Sequence, residues 1–141
     1  AGTGSVTFTG AVGATFDLGD ITIVSALDVT FASTLAADSF TQSAGTGDTQ
    51  FDAAVTINSS GSVNVAVTTN TVTVNAPITT LNGGTVTITN AGLLDIAPGA
   101  DMSLDGLFLQ NGAGAIQTAG DITTTNDNIT FTTAVSITAG H

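Results

Sequence analysis

Residues 1–12 read AGTGSVTFTGAV and residues 44–55 read AGTGDTQFDAAV, so that seven of the twelve positions are identical. A third and looser copy, TTNDNITFTTAV, occupies residues 124–135. The copies start 43 and 80 residues apart, close to whole multiples of a unit of about 20 to 22 residues. A period at the short end of the solenoid range predicts six or seven coils in this chain of 141 residues.

Short stretches with an apolar residue at every second position fill each unit. Examples are Val72-Thr73-Val74-Asn75, Val86-Thr87-Ile88-Thr89 and Ile129-Thr130-Phe131-Thr132. This alternation is typical of strands with one buried side, and turn signals such as Asn82-Gly83-Gly84 separate the strands. No segment has convincing helical periodicity, although residues 25–38 are the least clear stretch. The chain is therefore predicted to be all-β.

Two all-β folds agree with short strands, polar corners and this period. The first is a right-handed parallel β-helix, or β-solenoid, and the second is an antiparallel β-sandwich whose hairpins would close at Asn82-Gly83-Gly84 and Ser60-Gly61. The β-helix is favoured because its corners need no two-residue hairpin turns. In addition, small Ala and Val side chains suit a narrow interior, and equivalent positions in successive coils form ladders of like residues.

Aromatic residues provide a more detailed prediction about these ladders. Phe40-Thr41-Gln42 and Phe108-Leu109-Gln110 are each followed, two or three residues later, by a Gly-x-Gly turn. Five phenylalanines are spaced by 23, 20, 57 and 23 residues, at Phe8, Phe31, Phe51, Phe108 and Phe131. We predict that they share one row along the solenoid, with Val72 and Leu94 occupying the same row between them.

The repeats just quoted, together with TAGDITTTNDNITFTTAV at 118–135 and SITAG at 136–140, resemble the β-strand repeat regions of very large bacterial surface and secreted proteins. These are the filamentous-haemagglutinin-like and autotransporter-like adhesins, and a similar composition extends over nearly the whole chain. The resemblance implies a parallel β-helix, export to the cell surface, and a role as stalk, adhesin or fibre. The family's N-terminal secretion domain and C-terminal membrane barrel are not among these residues, so a passenger-type segment is expected.

The charge composition is one-sided. The chain has no Lys, Arg or Glu, and its formal charge of -11 comes from eleven aspartates. Without cations it lacks the groups that bind phosphate, a nucleic-acid backbone or an anionic membrane surface, so these are excluded as direct partners. The longest apolar runs also fall far short of the ~18 residues that cross a bilayer. Stability is expected to come from backbone hydrogen bonds and packed apolar area.

The inventory for catalysis is small, and no catalytic residue is assigned. No serine has a Lys or Cys partner, and the single histidine, His141, is the last residue. Paired aspartates cut glycosidic bonds in some β-helices, and the candidate pairs are Asp17 with Asp20, Asp48 with Asp52, and Asp101 with Asp105. Because the Trp and Tyr platforms common in sugar clefts are absent, a hydrolase is a minor alternative.

Calcium is the cofactor to consider, because carboxylate and carbonyl oxygens are its ligands. One candidate group is Asp95, Asp101 and Asp105, which flank Pro98-Gly99, and a second surrounds Asp127. Neither group matches a known calcium-loop motif. Coils stacked at ~4.8 Å must also keep their aspartates out of register or share cations, which is a further reason to consider calcium.

Threonine pairs suggest an ice-binding β-helix as the main alternative function. The Thr-x-Thr pairs begin at Thr7, Thr71, Thr85 and Thr130, and each would present two hydroxyls on one side of a strand. An ice plane requires such pairs to recur in register on successive coils. The starts are separated by 64, 14 and 45 residues, so strand propensity explains the threonines more simply.

Both ends of the chain begin or end beside a strand, without the polar caps that normally close a solenoid. Residues 1–141 are therefore expected to be one β-solenoid module, either a segment of a longer array or a polymerising subunit. The expected role is a non-catalytic extracellular or cell-surface fibre, stalk or adhesin. Its expected partners are copies of itself or further coils of the same chain, and a cell-surface glycan or protein receptor.

Overall fold

A computed structural model describes residues 2–58 and 64–138, and in this part of the chain there are seventeen β-strands and no helix. Every pairing between these strands is parallel. The strands stack on three faces of a β-solenoid, so the antiparallel sandwich is not favoured. Among the sequence features above, Ser60-Gly61 and His141 lie outside the described residues.

The first face contains seven strands, which lie one above the next in chain order. They are β1 (Val6–Phe8), β3 (Val29–Phe31), β5 (Asp48–Phe51), β8 (Thr71–Val74), β11 (Leu94–Ile96), β14 (Ile116–Thr118) and β17 (Val135–Ile137).

The second and third faces share one long strand, β4 (Leu35–Gln42), and therefore form a single ten-stranded sheet. The first half of β4 lies on the second face with β6 (Val55–Asn58), β9 (Ile78–Leu81), β12 (Met102–Leu104) and β15 (Ile122–Thr124). Its second half lies on the third face with β2 (Leu18–Ile23), β7 (Val65–Thr69), β10 (Val86–Asn90), β13 (Phe108–Gln110) and β16 (Ile129–Phe131).

The sequence of β4 shows how the chain turns from one face to the next. Buried and accessible residues alternate from Leu35 to Asp38, and then Ser39 and Phe40 are buried in succession. This break in the period of two redirects the inward side of the strand, which marks a corner of the solenoid. Elsewhere the corner is a short turn, as at Asn82-Gly83, where both residues have positive φ. Two such residues are the signature of a hairpin turn, but here they join strands that pair in parallel with other coils.

The register confirms the prediction of six or seven coils. On the first face Val6 pairs with Val29, Val29 with Thr49, and Thr49 with Val72. The same row continues through Leu94 and Ile116 to Val135. The chain thus completes six coils and begins a seventh, and each coil contains 19 to 23 residues.

The prediction of a single phenylalanine row is wrong in its second half. Phe8, Phe31 and Phe51 do stack on the first face, with ring centroids 4.5 and 5.5 Å apart. Their row continues through Val74 and Ile96, whereas Val72 and Leu94 belong to the neighbouring inward row. Phe108 and Phe131 lie on the third face, in two different rows.

The third sequence copy is likewise out of phase with the other two. Phe8 and Phe51 are two whole coils apart, since each pairs with Phe31. In the third copy the equivalent Phe131 pairs with Gln110 on the third face. By contrast, Phe40 and Phe108 do share a row on the third face, linked by Val65 and Val86, and Gln42 and Gln110 share the next row.

The core is a column of inward side chains running through all three faces. Its largest members, Phe31, Phe40, Phe51 and Phe108, are 0 or 1 % exposed. Phe40 packs edge-on against Phe31 and Phe51, which joins the first and third faces. Between the inward residues, most outward side chains are Thr, Ser, Ala or Gln, with exceptions such as Asp95 on β11 and Leu109 on β13. Burial of this apolar column supplies the main driving force for the fold.

Candidate functional site: the two open ends

The C-terminal end of the solenoid is an open apolar surface. Ile129 and Ile137 are 41 and 69 % exposed, although the residues in the same rows of the middle coils are buried. They contribute to an open cavity of about 330 Å³, whose lining is Thr118, Gly120, Asp121, Ile122, Ile129, Phe131, Val135 and Ile137. In the described part of the chain, β15, β16 and β17 pair with a neighbour on one side only. The last coil therefore presents both apolar side chains and unpaired backbone groups.

The N-terminal end has the same character. The inward residues of the first coil are only partly buried, and they are Val6, Phe8, Val12, Ile21 and Ile23. Phe16 and Val24 nearby are 83 and 73 % exposed. Within the described ranges β1 and β2 each pair on one side only, with β3 and β4, and Val12 forms a bridge to Leu35. Both ends are thus exposed sheet edges of the type that pairs with another strand.

The aspartates lie on the sides of the solenoid rather than in one cluster. Seven of them accept hydrogen bonds from residues about one coil or more away in sequence, and these are Asp17, Asp20, Asp28, Asp52, Asp95, Asp101 and Asp105. In the outward row of the first face, Asp95 lies between Thr73 and Gln117, so its neighbours are uncharged. Neutral donors thus satisfy these carboxylates without a cationic side chain.

Asp28 is the clearest case of this arrangement. Its carboxylate accepts hydrogen bonds from the backbone N–H of Asp48 at 2.9 Å and from the Ser5 hydroxyl at 2.8 Å. The bond from the Asp48 backbone, followed by that from Ser5, lowers the pKa of Asp28 below its ordinary value of 3.8. The ionised form of Asp28 therefore links three successive coils.

The predicted calcium ligands are not brought together. Asp95 points outward on the first face, whereas Asp101 and Asp105 flank β12 on the second face, ~13 Å apart along an extended strand. Asp127 lies in the turn before β16, where its carbonyl oxygen accepts a hydrogen bond from Thr124. Over residues 2–58 and 64–138, no three His, Cys, Asp or Glu side chains gather as a metal site would require. Calcium binding stays a prediction, and loss of thermal stability on adding a chelator would test it.

The aspartate pairs considered for glycoside hydrolysis are also spread along strands. Asp48 and Asp52 stand at the two ends of β5, as Asp101 and Asp105 do around β12. Four residues of extended chain separate their Cα atoms by ~13 Å, compared with the ~5 to 9.5 Å between the carboxylates of known glycosidases. The threonine pairs are divided between faces, with Thr7 and Thr73 on the first and Thr87 and Thr130 on the third. Leu109 separates Thr87 from Thr130.

Two features were not predicted from the sequence. The first is a groove of about 480 Å³ on the second face, where most of the lining residues are Thr or Ser of β9, β12 and β15, together with Leu81, Asn82 and Asp105. The second is a set of buried polar side chains near the corner between the third and first faces, including Gln42, Thr69, Asn90 and Gln110. The groove depends on how strands from three coils align, and no local motif marks it. The Gln residues were visible in the sequence, but their burial depends on the register.

Comparisons with protein-family models, with curated proteins and with solved structures find no match for this chain. The described residues also contain no helix long and apolar enough to cross a membrane.

Proposed function

We propose that this chain is a structural, non-catalytic β-solenoid module of an extracellular or cell-surface fibre, stalk or adhesin, and that it functions by continuing end to end into further solenoid coils. The observation that supports this most directly is the exposure of the inward rows at both ends. A solenoid that functions alone closes its first and last coils with polar residues, because an uncovered core promotes association. Here Ile129 and Ile137 are exposed instead, and Val6, Phe8 and Val12 of the first coil are only partly buried.

The distribution of charge favours axial over side-by-side association. The outward sides carry the aspartates that give the chain its charge of -11. By contrast, the strands at the C-terminal edge, β15, β16 and β17, contain no charged residue, and β1 and β2 contain only Asp20. Like charges on the sides repel neighbouring solenoids, whereas the ends bring apolar surfaces together at little electrostatic cost.

The resemblance to the repeat regions of giant bacterial adhesins supports export and a role outside the cell. A chain without Lys or Arg offers no cleavage site to trypsin-like proteases, which suits a passive exported scaffold. In the adhesin form of the proposal, a lateral surface also binds a receptor. We assign that role to the groove on the second face, where Thr79, Ser103 and Thr123 lie in successive coils and offer hydroxyl groups to a glycan or protein.

Electron microscopy and analytical ultracentrifugation of the full chain test end-to-end association. We expect filaments one solenoid wide whose length grows with protein concentration. Ile137→Asp places a charge in the C-terminal apolar surface and should abolish them, because a buried unpaired carboxylate is strongly unfavourable. Thr87→Asp adds the same charge on the outward side of β10 and should leave the filaments intact. Compact monomers of the unmodified chain at all concentrations would overturn the proposal.

A further inference from the structure

The outward side of the second face carries a straight row of hydroxyl groups, one on each of four successive coils. Its members, which pair with one another in turn, are Thr56, Thr79, Ser103 and Thr123. From this row and the groove around it we propose that the second face binds a neutral, extended glycan that lies along the solenoid axis, with one sugar unit over each coil. This inference rests on the adhesin form of the proposed function, since it names the class of ligand for the same groove.

The spacing of the row suits a linear polysaccharide. Neighbouring strands of a sheet lie ~4.8 Å apart, and one sugar unit of an extended chain is about as long as that step. A glycan that runs along the axis therefore meets an equivalent hydroxyl group at every unit. The groove of about 480 Å³ spans three of these coils and has the size of pockets that bind small ligands.

The polar groups of the groove are available to a ligand. The Thr79 and Ser103 side chains form no hydrogen bond with another described residue. Beside them, one carboxylate oxygen of Asp105 accepts a hydrogen bond from the Gly83 N–H at 2.8 Å, which fixes the orientation of the carboxylate. Its other oxygen accepts no bond from a described residue. The groove thus offers a row of hydroxyl groups and a positioned charged acceptor, and charged acceptors form the stronger bonds with hydroxyl donors.

Leu81 supplies an apolar surface in the same groove. Its side chain is 43 % exposed. A sugar ring has hydroxyl groups around its edge and C–H groups on its two faces, so a site for it combines polar partners with an apolar surface. Trp and Tyr, the residues that most often supply this surface, do not occur in the chain. Each sugar unit is therefore held weakly, and we expect the affinity to depend on how many units lie along the row.

The charge of the chain favours a neutral glycan over a charged one. Asp101 and Asp105 stand two residues before and after Ser103, on the same outward side of the strand. With no Lys or Arg to offset them, these carboxylates repel sulfated sugars and sugar acids. A glycan with free amino groups is attracted by every aspartate of a chain whose charge is -11, so it would coat the surface rather than select the groove.

A protein receptor suits this surface less well. Stable protein interfaces bury about 800 Å² on each partner, and Trp, Tyr and Arg are the residues that contribute most to their affinity. The chain contains none of these three residue types. A groove of about 480 Å³ is instead on the scale of a short oligosaccharide.

Equilibrium dialysis of the full chain with fluorescent oligosaccharides tests the proposal. The main probes are cello-oligosaccharides and manno-oligosaccharides of two to six units, which are neutral and extended. Maltohexaose is neutral but curved, and hexamers of glucosamine and of heparin carry charges of opposite sign. For at least one extended series we expect the affinity to rise about tenfold from two units to four and to change little beyond four, because four described coils carry the hydroxyl row.

Two pairs of variants locate the binding site. Ser103→Leu fills the middle of the row and should lower the affinity for the extended tetramer by about tenfold or more, whereas Thr87→Leu, an outward position on the third face, should leave it unchanged. Asp105→Asn removes the charged acceptor and should also cost about tenfold. Asp95→Asn is its control, since Asp95 likewise accepts one hydrogen bond from another coil but lies on the first face.

Equal affinities for maltohexaose and the extended hexamers would overturn the arrangement along the axis. Binding that Ser103→Leu and Asp105→Asn leave unchanged would overturn the assignment to the groove. If no oligosaccharide binds while electron microscopy shows filaments, glycan recognition is wrong, a protein is left as the ligand of the adhesin form, and end-to-end association is unaffected. Groove-dependent binding by a chain that never forms filaments would support this inference and overturn the stacking.

Discussion

Gln42 and Gln110 have the same side chain in the same inward row of the third face, three coils apart, and both are almost completely buried. Their hydrogen bonding differs. The Nε2 of Gln110 donates to the Asn90 side chain at 2.8 Å and to the Gly112 carbonyl at 2.9 Å, while its Oε1 accepts from the backbone and the hydroxyl of Thr132. Gln42 accepts one bond from Thr49, and its Nε2 has no partner. Gln110 therefore joins three coils, whereas Gln42 forms a single hydrogen bond, to the buried hydroxyl of Thr49.

Substitution of each glutamine by leucine should reveal this difference. Gln110→Leu leaves the Asn90 Oδ1 without a donor and removes bonds to the Gly112 carbonyl and the Thr132 N–H, each of which keeps one other partner, so we expect a loss of about 2 kcal/mol in the free energy of unfolding. Gln42→Leu removes the acceptor of the Thr49 hydroxyl, but it also removes a buried donor that has no partner; the two effects offset each other, and stability should change by about 1 kcal/mol or less. Urea denaturation followed by circular dichroism measures both values. Equal losses of stability in the two variants would show that the hydrogen bonds of Gln110 contribute no more than the single bond of Gln42.

The lowered pKa of Asp28 predicts how the stability of the protein changes at acidic pH. Because its pKa in the folded protein lies below the ordinary value of 3.8, the unfolded chain binds the proton more readily. Its stabilising effect is therefore fully present above pH ~4 and is lost as the pH falls through the lower folded value. Asp28→Asn should lower the melting temperature at pH 7, and its difference from the unmodified protein should shrink toward pH 2. Asp38→Asn, at an exposed position, is the control for the loss of one negative charge.

At the scale of the element, the corners between faces determine how closely two coils approach. Gly112 follows β13 at the corner between the third and first faces. A Cβ added there would lie 2.0 Å from the carbonyl oxygen of Asn90 and 2.3 Å from its nitrogen. Both are backbone atoms that cannot rotate away, so a methyl group at this position must separate two coils.

Gly112→Ala should therefore cost more than about 2 kcal/mol in the free energy of unfolding, because overpacking against the backbone is among the most damaging changes. Gly19→Ala is the matched control, because no atom lies within 4 Å of a Cβ placed on Gly19 of β2. We expect the control to unfold at the same urea concentration as the unmodified chain, or slightly higher. A Gly112→Ala protein of normal stability would mean that this corner can open without cost.

The corners also explain which parts of the fold were predictable from the sequence. The alternation of apolar residues predicts strands, and the period predicts six or seven coils, because both depend on short-range spacing. The phase of distant repeats was not predictable. The step from the first face to the second is eight residues long between Leu94 and Met102, where the chain turns at Pro98-Gly99. The equivalent step between Val29 and Leu35 is six residues long. Insertions of this kind add up along the chain, so Phe131 moves to a different face from Phe8.

The candidate site was predictable to a different extent. The absence of polar caps predicts that both ends of the solenoid are open, and the exposure of Ile137 and the partial exposure of Phe8 agree with that prediction. Aspartates that are close in sequence are not brought together in space, because closeness in sequence does not mean closeness in a solenoid. Asp101 and Asp105 are four residues apart, yet the nearest neighbours of each belong to other coils. The backbone N–H of Asp121 donates a hydrogen bond to the Asp101 carboxylate, and the backbone N–H of Gly83 donates one to the Asp105 carboxylate.

At the scale of the whole molecule, protection should decrease from the middle coils toward both ends. Each coil contacts only its neighbours, so the stability of a coil depends on how many of its faces are covered. The inward residues of β7, β8 and β10 are at most 3 % exposed, whereas those of β1, β16 and β17 are partly or largely exposed. Terminal coils should therefore open locally far more often than central ones.

Hydrogen–deuterium exchange measured by mass spectrometry tests this gradient and connects it to assembly. In dilute protein, peptides from residues 65–96 should exchange most slowly, and those from 6–23 and 122–137 most rapidly. In assembled protein the 122–137 peptides should become as protected as the centre, since a neighbouring copy then covers their edge. Uniform exchange along the dilute chain would contradict the open-ended solenoid.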